Sequence, residues 1–322
     1  MKRILAGSGA VLCLAACGGG NGAARPSAVA ETHAALADSL VAGTVLQVTS
    51  GETGEAIDGA VVTVHGRDYT SAGGRITLAE AAPLQSEIGI VASGMLDRRT
   101  LLRDVSTTRF ALWPQRSPTG MDESFTQAIV YSHPNGTGPL RRLVRGTTRV
   151  VVVPSEEIRG EQEMIAHQEA ADRITTATAG QVAYVVATQR PATGAYVETR
   201  LGNEDDALCG QNNILGFEQD FLRGGETVHA LIVFCDPKSA RTAVVSHEMG
   251  HTFGLYHSPD KGEVMYAFFN GHGAVEFSPR EGLEMRLMLQ RPGGNVFPDD
   301  DRAVSLSAAT GIHTTICRTL LP

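Results

Sequence analysis

The stretch His247-Glu248-Met249-Gly250-His251-Thr252-Phe253-Gly254-Leu255-Tyr256-His257 decides how the rest of the chain is read. On a helix, residues four apart lie on one face about one turn from each other. His247 and His251 can therefore present two imidazoles to one ion. Zn²⁺ accepts neutral imidazole nitrogen, and a catalytic zinc keeps one position open beside three protein ligands. Val245, Met249 and Phe253 run along another face of the same helix and can anchor it in a core. Gly254 is suited to end the helix, because glycine adopts positive φ at little cost. The chain can then double back and bring His257 against the same ion. Glu248, beside a ligand but pointing past it, is the candidate general base.

Downstream, Gly262-Glu263-Val264-Met265-Tyr266 supplies a methionine eight residues after His257. The whole pattern resembles the metzincin clan of zinc peptidases, whose extended motif HExxHxxGxxH precedes a Met-containing turn. The resemblance implies one zinc ion per chain on His247, His251 and His257, Glu248 as catalytic base, and Met265 as an apolar floor that does not ligate. It implies a zinc-dependent endopeptidase whose substrates are extracytoplasmic proteins or peptides. It reaches more loosely over residues 120–292. There the residues predict a buried strand at 149–153, a helix at 156–179 capped by Ser155, and strands at 182–187 and 228–234. Asp236, Pro237 and Ser239 offer capping signals for the motif helix, and Ser278 with Pro279 opens a last one. Residues 188–227 read as irregular. Tyr266 reads as wall or core, His272 as a loop residue, and His167 and His229 as structural.

The amino terminus carries an address. Lys2 and Arg3 precede an apolar run at 4–16 that is too short to span a bilayer. Leu14-Ala15-Ala16-Cys17 resembles the bacterial lipobox, which implies a signal peptide at 1–17 and a lipidated Cys17. The chain would then be exported and anchored to a bacterial membrane, facing periplasm or cell surface. The outer membrane is favoured because Gly18 is not an inner-membrane retention residue in the lipoproteins it resembles. Residues 18–42 read as a linker with a short helix near 31–40.

Between 43 and 113, strand-like runs at 44–49, 60–65, 75–78, 87–92 and 109–113 alternate with turn signals such as Asp58-Gly59 and Gly73-Gly74. That spacing predicts a small antiparallel β-sandwich. The run at 53–62, with Gly73-Gly74-Arg75-Ile76, resembles carboxypeptidase regulatory-like, transthyretin-like modules, implying a spacer or binding role. After a boundary at 114–120, residues 120–322 form the expected catalytic domain. The fold class is α+β: a β-sandwich, then a metzincin-like domain with a twisted mixed sheet, an active-site helix and a C-terminal helix.

The net charge of -8 comes without a basic cluster, which argues against nucleic acid as a partner. With Cys13 removed and Cys17 lipidated, Cys209, Cys235 and Cys317 remain. An oxidising compartment permits a disulfide. Cys209 with Cys235 is the favoured pair, since both fall in the catalytic region, and one thiol is left over. A second reading makes the chain a surface-anchored binding protein with a structural or inactive zinc site. Such a site would not need Glu248 and would tend to have a fourth protein ligand, for which nothing near His257 is obvious.

Overall fold

The computed structural model describes residues 38–133, 136–203, 205–211, 213–241, 243–269, 274–302 and 311–319. Cys17, the signal and most of the expected linker lie outside them, as does His272. Residues 39–40, included in the expected short helix, are instead extended: Ser39–Leu40 pairs with Ala82–Pro83.

The sheet that carries the site contains β1 (Arg149–Pro154), β2 (Ala183–Val186), β3 (Ala195–Leu201), β4 (Ile214–Arg223), β5 (Glu226–Phe234), β6 (Phe268–Phe269) and β7 (Gly311–Thr319). Their spatial order is β2-β1-β3-β5-β4-β7-β6. The strands β2, β1, β3 and β5 run parallel, whereas β4 is antiparallel to β5 and to β7. The valines at 150, 151, 152 and 153 are all buried, as expected of a parallel strand covered on both faces.

Two of these strands fall in the stretch that reads as irregular. β3 and β4 were obscured because their apolar alternation is interrupted by Glu198, Thr199, Glu218 and Asp220. On β4 the acidic positions are wholly buried, so its polar face points inward and inverts the usual pattern. The signal that could have found the hairpin is Gly224-Gly225, whose φ values of 63° and 77° suit a two-residue turn between β4 and β5.

Three helices build on the sheet: α1 (Glu161–Ala177) and α2 (Val244–Phe253) pack on its strands, and α3 (Pro279–Met288) packs on α1. The first starts later than its sequence suggests. Ser155 precedes a 3₁₀ turn, Glu156–Ile158, and makes no side-chain capping bond. Extended backbone at Gly160 interrupts the helical path before α1 begins. Likewise Asp236 accepts from the Lys238 amide at the 3₁₀ turn Pro237–Arg241, and α2 has no side-chain cap of its own. By contrast, Ser278 and Glu281 form a reciprocal capping box on α3, with Pro279 in its first turn.

Residues 45–112 contribute two further sheets. One orders Arg75–Thr77, Val45–Ser50 and Arg109–Leu112; the other orders Arg67–Thr70, Val61–Val64, Glu87–Val91 and Arg98–Leu101. Leu46, Val48, Val62, Ile88, Ile90 and Phe110 belong to one apolar cluster spanning both. The pairing is not wholly antiparallel, contrary to the sequence reading: Val45–Ser50 and Arg109–Leu112 run parallel.

The junction with the segment that follows is buried. Leu96 and Trp113 join the apolar cluster of that segment. Arg291, fully buried, holds Asp299 through two bonds of 2.6 Å and donates to the Ala111 carbonyl at 2.9 Å. Its guanidinium lies 4.8 Å from the Trp113 ring centre.

Candidate metal centre

Every residue of α2 is buried, so His247, Glu248 and His251 are presented inside the molecule. The helix ends at Gly254, with φ 113°. A side chain there would meet two obstacles: a disfavoured backbone, and the Arg141 carbonyl oxygen 2.2 Å from an added Cβ. Gly250 is constrained differently. An added Cβ would come within 2.3 Å of Met265 Sδ, so the methionine sulfur packs directly on the motif helix.

After Gly254 the chain turns back. The Tyr256 amide donates to the Ile129 carbonyl at 2.7 Å, and the Ser258 amide to the Met265 carbonyl at 2.7 Å. Glu281 of α3 accepts from the Met265 amide at 2.9 Å. The capping residue of one helix thereby fixes the methionine beneath the other. Glu263 reinforces the turn by accepting from Ser258, Ser278 and Arg280.

The result is a cluster of three imidazoles. Ring centres lie 4.7 Å apart for His247 and His251, 4.9 Å for His251 and His257, and 5.3 Å for His247 and His257. One ring nitrogen from each comes within 4.8 Å of the others. The Nδ1 atoms of His247 and His251 lie 2.7 Å from the carbonyls of Val264 and Leu255. Donation from those nitrogens leaves both Nε2 lone pairs directed inward, 3.0 Å apart. Such carbonyl partners fix tautomer and ring orientation in metal sites. His257 Nε2 is buried and has no hydrogen-bond partner among the described residues. An orphaned acceptor facing two others fits a cation.

Burial sets the charge state. It lowers His247 to about 4 and His257 to about 3, and holds His251 well below the ordinary imidazole range, with the neighbouring imidazoles adding to the effect. All three are neutral at pH 7, the form that ligates metal. Burial acts on Glu248 in the opposite sense and raises it to about 8. Neither of its oxygens has a well-formed hydrogen bond among the described residues; the Cys317 thiol faces it as a weak donor.

Beside this cluster stands a polar array that the sequence reading missed. Arg141 bonds Asp220 at 2.7 Å, the Tyr256 hydroxyl at 2.5 Å and His313 Nδ1 at 2.6 Å. It thus grips the turn that delivers His257. Glu218, two residues before Asp220, is pushed well above the usual carboxylate range by burial and by that neighbour. Acidic residues two apart inside an aromatic-flanked run, Phe217 to Phe221, were the available signal.

Other candidates fall elsewhere. Cys209 and Cys235 form a disulfide that ties the loop after β3 to the end of β5. His167 contacts the Glu163 carbonyl and the Thr199 hydroxyl within the core. His229 stacks between Tyr196 and Phe221, with ring centres 4.7 and 4.0 Å away. Tyr266 lies along a small cavity beside His247, with Lys261, Val264, Phe268 and Cys317.

Comparison with known proteins bears on this segment. Residues 156–281 match the family profile of the M10 peptidases, Matrixin. The segment is matrixin-like. The match runs from the turn before α1 into α3 and includes all three histidines, Glu248 and Met265. Matrixins are zinc peptidases of the metzincin clan, so the likeness and the neutral imidazole cluster point to the same metal. Among solved structures, archaemetzincin from Methanopyrus kandleri is 18% identical, with a TM-score of 0.31 over 46% of this chain and 100% of that one. The curated proteins give no match.

Proposed function

We propose that the chain is a zinc-dependent endopeptidase acting on exported proteins or peptides. The observation that carries the reading is the convergence of three neutral imidazoles beside a buried carboxylate with no strong partner. His247, His251 and His257 would hold the ion. When bound there, zinc supplies Lewis acidity toward a carbonyl and makes water more acidic.

The chain's own residues do the rest. Glu248 accepts a proton from the attacking water and returns it to the leaving amine nitrogen. A zinc ion held beside it would favour the ionised carboxylate, the form that accepts that proton. Met265 provides an apolar support under α2, and Glu281 keeps that support in register. Arg141, through Tyr256, orients the turn that ends at His257.

The test is metal analysis of the purified chain together with cleavage of a broad peptide library, with Glu248→Gln run alongside. About one zinc per chain and chelator-sensitive cleavage are expected. Stoichiometric zinc with no cleavage by any form of the chain would return the reading to a binding protein. We further propose that Cys17 carries the lipid anchor and that residues 45–112 act as a spacer or binding module. Cys17→Ser should move the protein from the membrane fraction to the soluble fraction; retention in membranes would reject the anchor.

A further inference from the structure

The centre as it stands is largely shut, with His257 the one partly open imidazole of the three. Glu248 and His251 have 0% exposure and His247 has 4%. The space beside His247 amounts to only about 20 Å³, far too little for a peptide. What closes it on the side of the sheet is β7. Gly216 of β4 lies against Glu248, an added Cβ reaching 3.4 Å from its Oε1. Directly opposite Gly216 in the antiparallel ladder is Cys317 of β7. Paired residues share a face, so Cys317 also faces Glu248. Its sulfur, a Glu248 oxygen and a His247 nitrogen lie within 4.8 Å of one another.

We propose that β7 is a displaceable inner strand that occupies the place of the substrate, and that the peptidase is latent until β7 leaves β4. This rests on the peptidase reading above. Without β7, β4 would be the edge of the sheet, in a line that passes Glu248. An open sheet edge binds an extended peptide through its main-chain groups. A peptide added antiparallel to β4 would bring its backbone past Gly216 and so to the catalytic carboxylate. β7 already makes that set of pairings, from Ile214↔Arg318 to Leu222↔Gly311.

Arg141 at His313 and the short pairing with β6 hold β7 at two places, but two observations mark it as less firmly packed than β5. Among its side chains from 311 to 317, only Thr315 and Cys317 are buried, while Ile312 is 62% exposed. By comparison β5 buries Ala230, Ile232, Val233 and Phe234. The β4–β7 contact also leaves a polar atom unmatched. The Thr315 hydroxyl has no hydrogen-bond partner among the described residues, and Glu218, opposite it in the ladder, bonds Asp220 of its own strand and gives β7 nothing. Such a group costs free energy that a better-matched strand would recover. A strand with few buried apolar side chains belongs to the low-stability end of a fold and opens first.

The first test uses the unaltered zinc-loaded chain and amide hydrogen exchange. The amides of β7 should exchange at least tenfold faster than those of β5; equal protection would make β7 a permanent part of the sheet and overturn the inference. The second uses Thr315→Pro/Ile316→Pro: successive amides point to opposite sides of a strand, so one of the two is lost from the β4 ladder, both positions are fixed in φ, and Cys317 remains as reporter. Iodoacetamide should then alkylate Cys317, peptide cleavage should rise at least tenfold, and a synthetic peptide of residues 311–319 with serine in place of cysteine should bind and restore the slow rate. A variant that holds one zinc, exposes Cys317, binds no peptide and cleaves at the unaltered rate overturns the inference. One that holds zinc and binds the peptide but cleaves nothing sinks the peptidase reading and leaves the strand exchange standing. If the proline variant does not fold, the exchange measurement decides.

Discussion

Replacing Glu248 by glutamine changes one oxygen to an amide nitrogen in a wholly buried site, and the structure sets two separable consequences. The first is chemical. An amide cannot accept the water's proton or return it, and general acid–base catalysis contributes roughly 10²–10⁴-fold. Cleavage should fall by at least that range while zinc content stays at the wild-type value, because the three imidazoles are untouched. The second is thermodynamic and concerns the metal-free protein. Burial raises the Glu248 carboxyl from 4.5 to about 8. The folded state thus holds the proton more tightly than the unfolded state. Its contribution is fully present below pH 4.5 and is lost as pH rises to about 8. At pH 7 the loss amounts to about 3 kcal/mol by linkage. Glutamine is neutral throughout and lacks that dependence. Metal-free Glu248→Gln should therefore match wild type near pH 4.5 and exceed it in urea midpoint by a few kcal/mol equivalents at pH 8. Paired denaturation curves at the two pH values, with peptide cleavage of the zinc forms, check both parts. A zinc-loaded variant cleaving at the wild-type rate would refute the mechanism; identical pH dependence of stability would refute the burial argument.

His257→Ala should lower zinc affinity at least tenfold by removing one of three ligands, read by competition with a chelator. Since burial keeps His247 near 4 and His257 near 3, both resist protonation far below the ordinary imidazole value; bound zinc should be retained at pH 5 and released as pH falls toward 3, as followed by metal analysis after dialysis. Glu284, raised to about 8 by burial although Thr126 donates to it, should behave like Glu248 in stability alone: Glu284→Gln should raise the melting temperature at pH 8 more than at pH 5 and leave cleavage unchanged. Asp299→Ala should destabilise by about 3–5 kcal/mol, because it strands the buried Arg291 guanidinium, and a urea midpoint near wild type would show the pair to be dispensable. Deleting residues 43–112 should leave a zinc-binding but less stable chain, since Arg291 loses the Ala111 carbonyl and Gln290 loses Gly51; an unchanged melting temperature would show that junction to contribute nothing.

Local chemistry made part of this molecule legible in its sequence. The helical spacing of His247 and His251, the glycine that must stop that helix, and the Ser278–Glu281 box each depend on residues within one or two turns, so their pattern survives without knowledge of the fold. The run of four valines announced a buried strand for the same reason. What the sequence did not reveal depends on contacts distant along the chain. Glu218 and Asp220 look like solvent-facing residues until β4 is seen with its polar face turned toward Arg141, some eighty residues earlier. Ser155 looked like the cap of α1 because its side chain is of the right kind, but extended backbone at Gly160 restarts the helix later. Cys317 read as a leftover thiol, nearly seventy residues after Glu248. Only the pairing of β7 with β4, a register fixed by tertiary contacts along both strands, brings its sulfur against the carboxylate, since a strand's partner is set by what its side chains meet across the sheet and not by its own sequence.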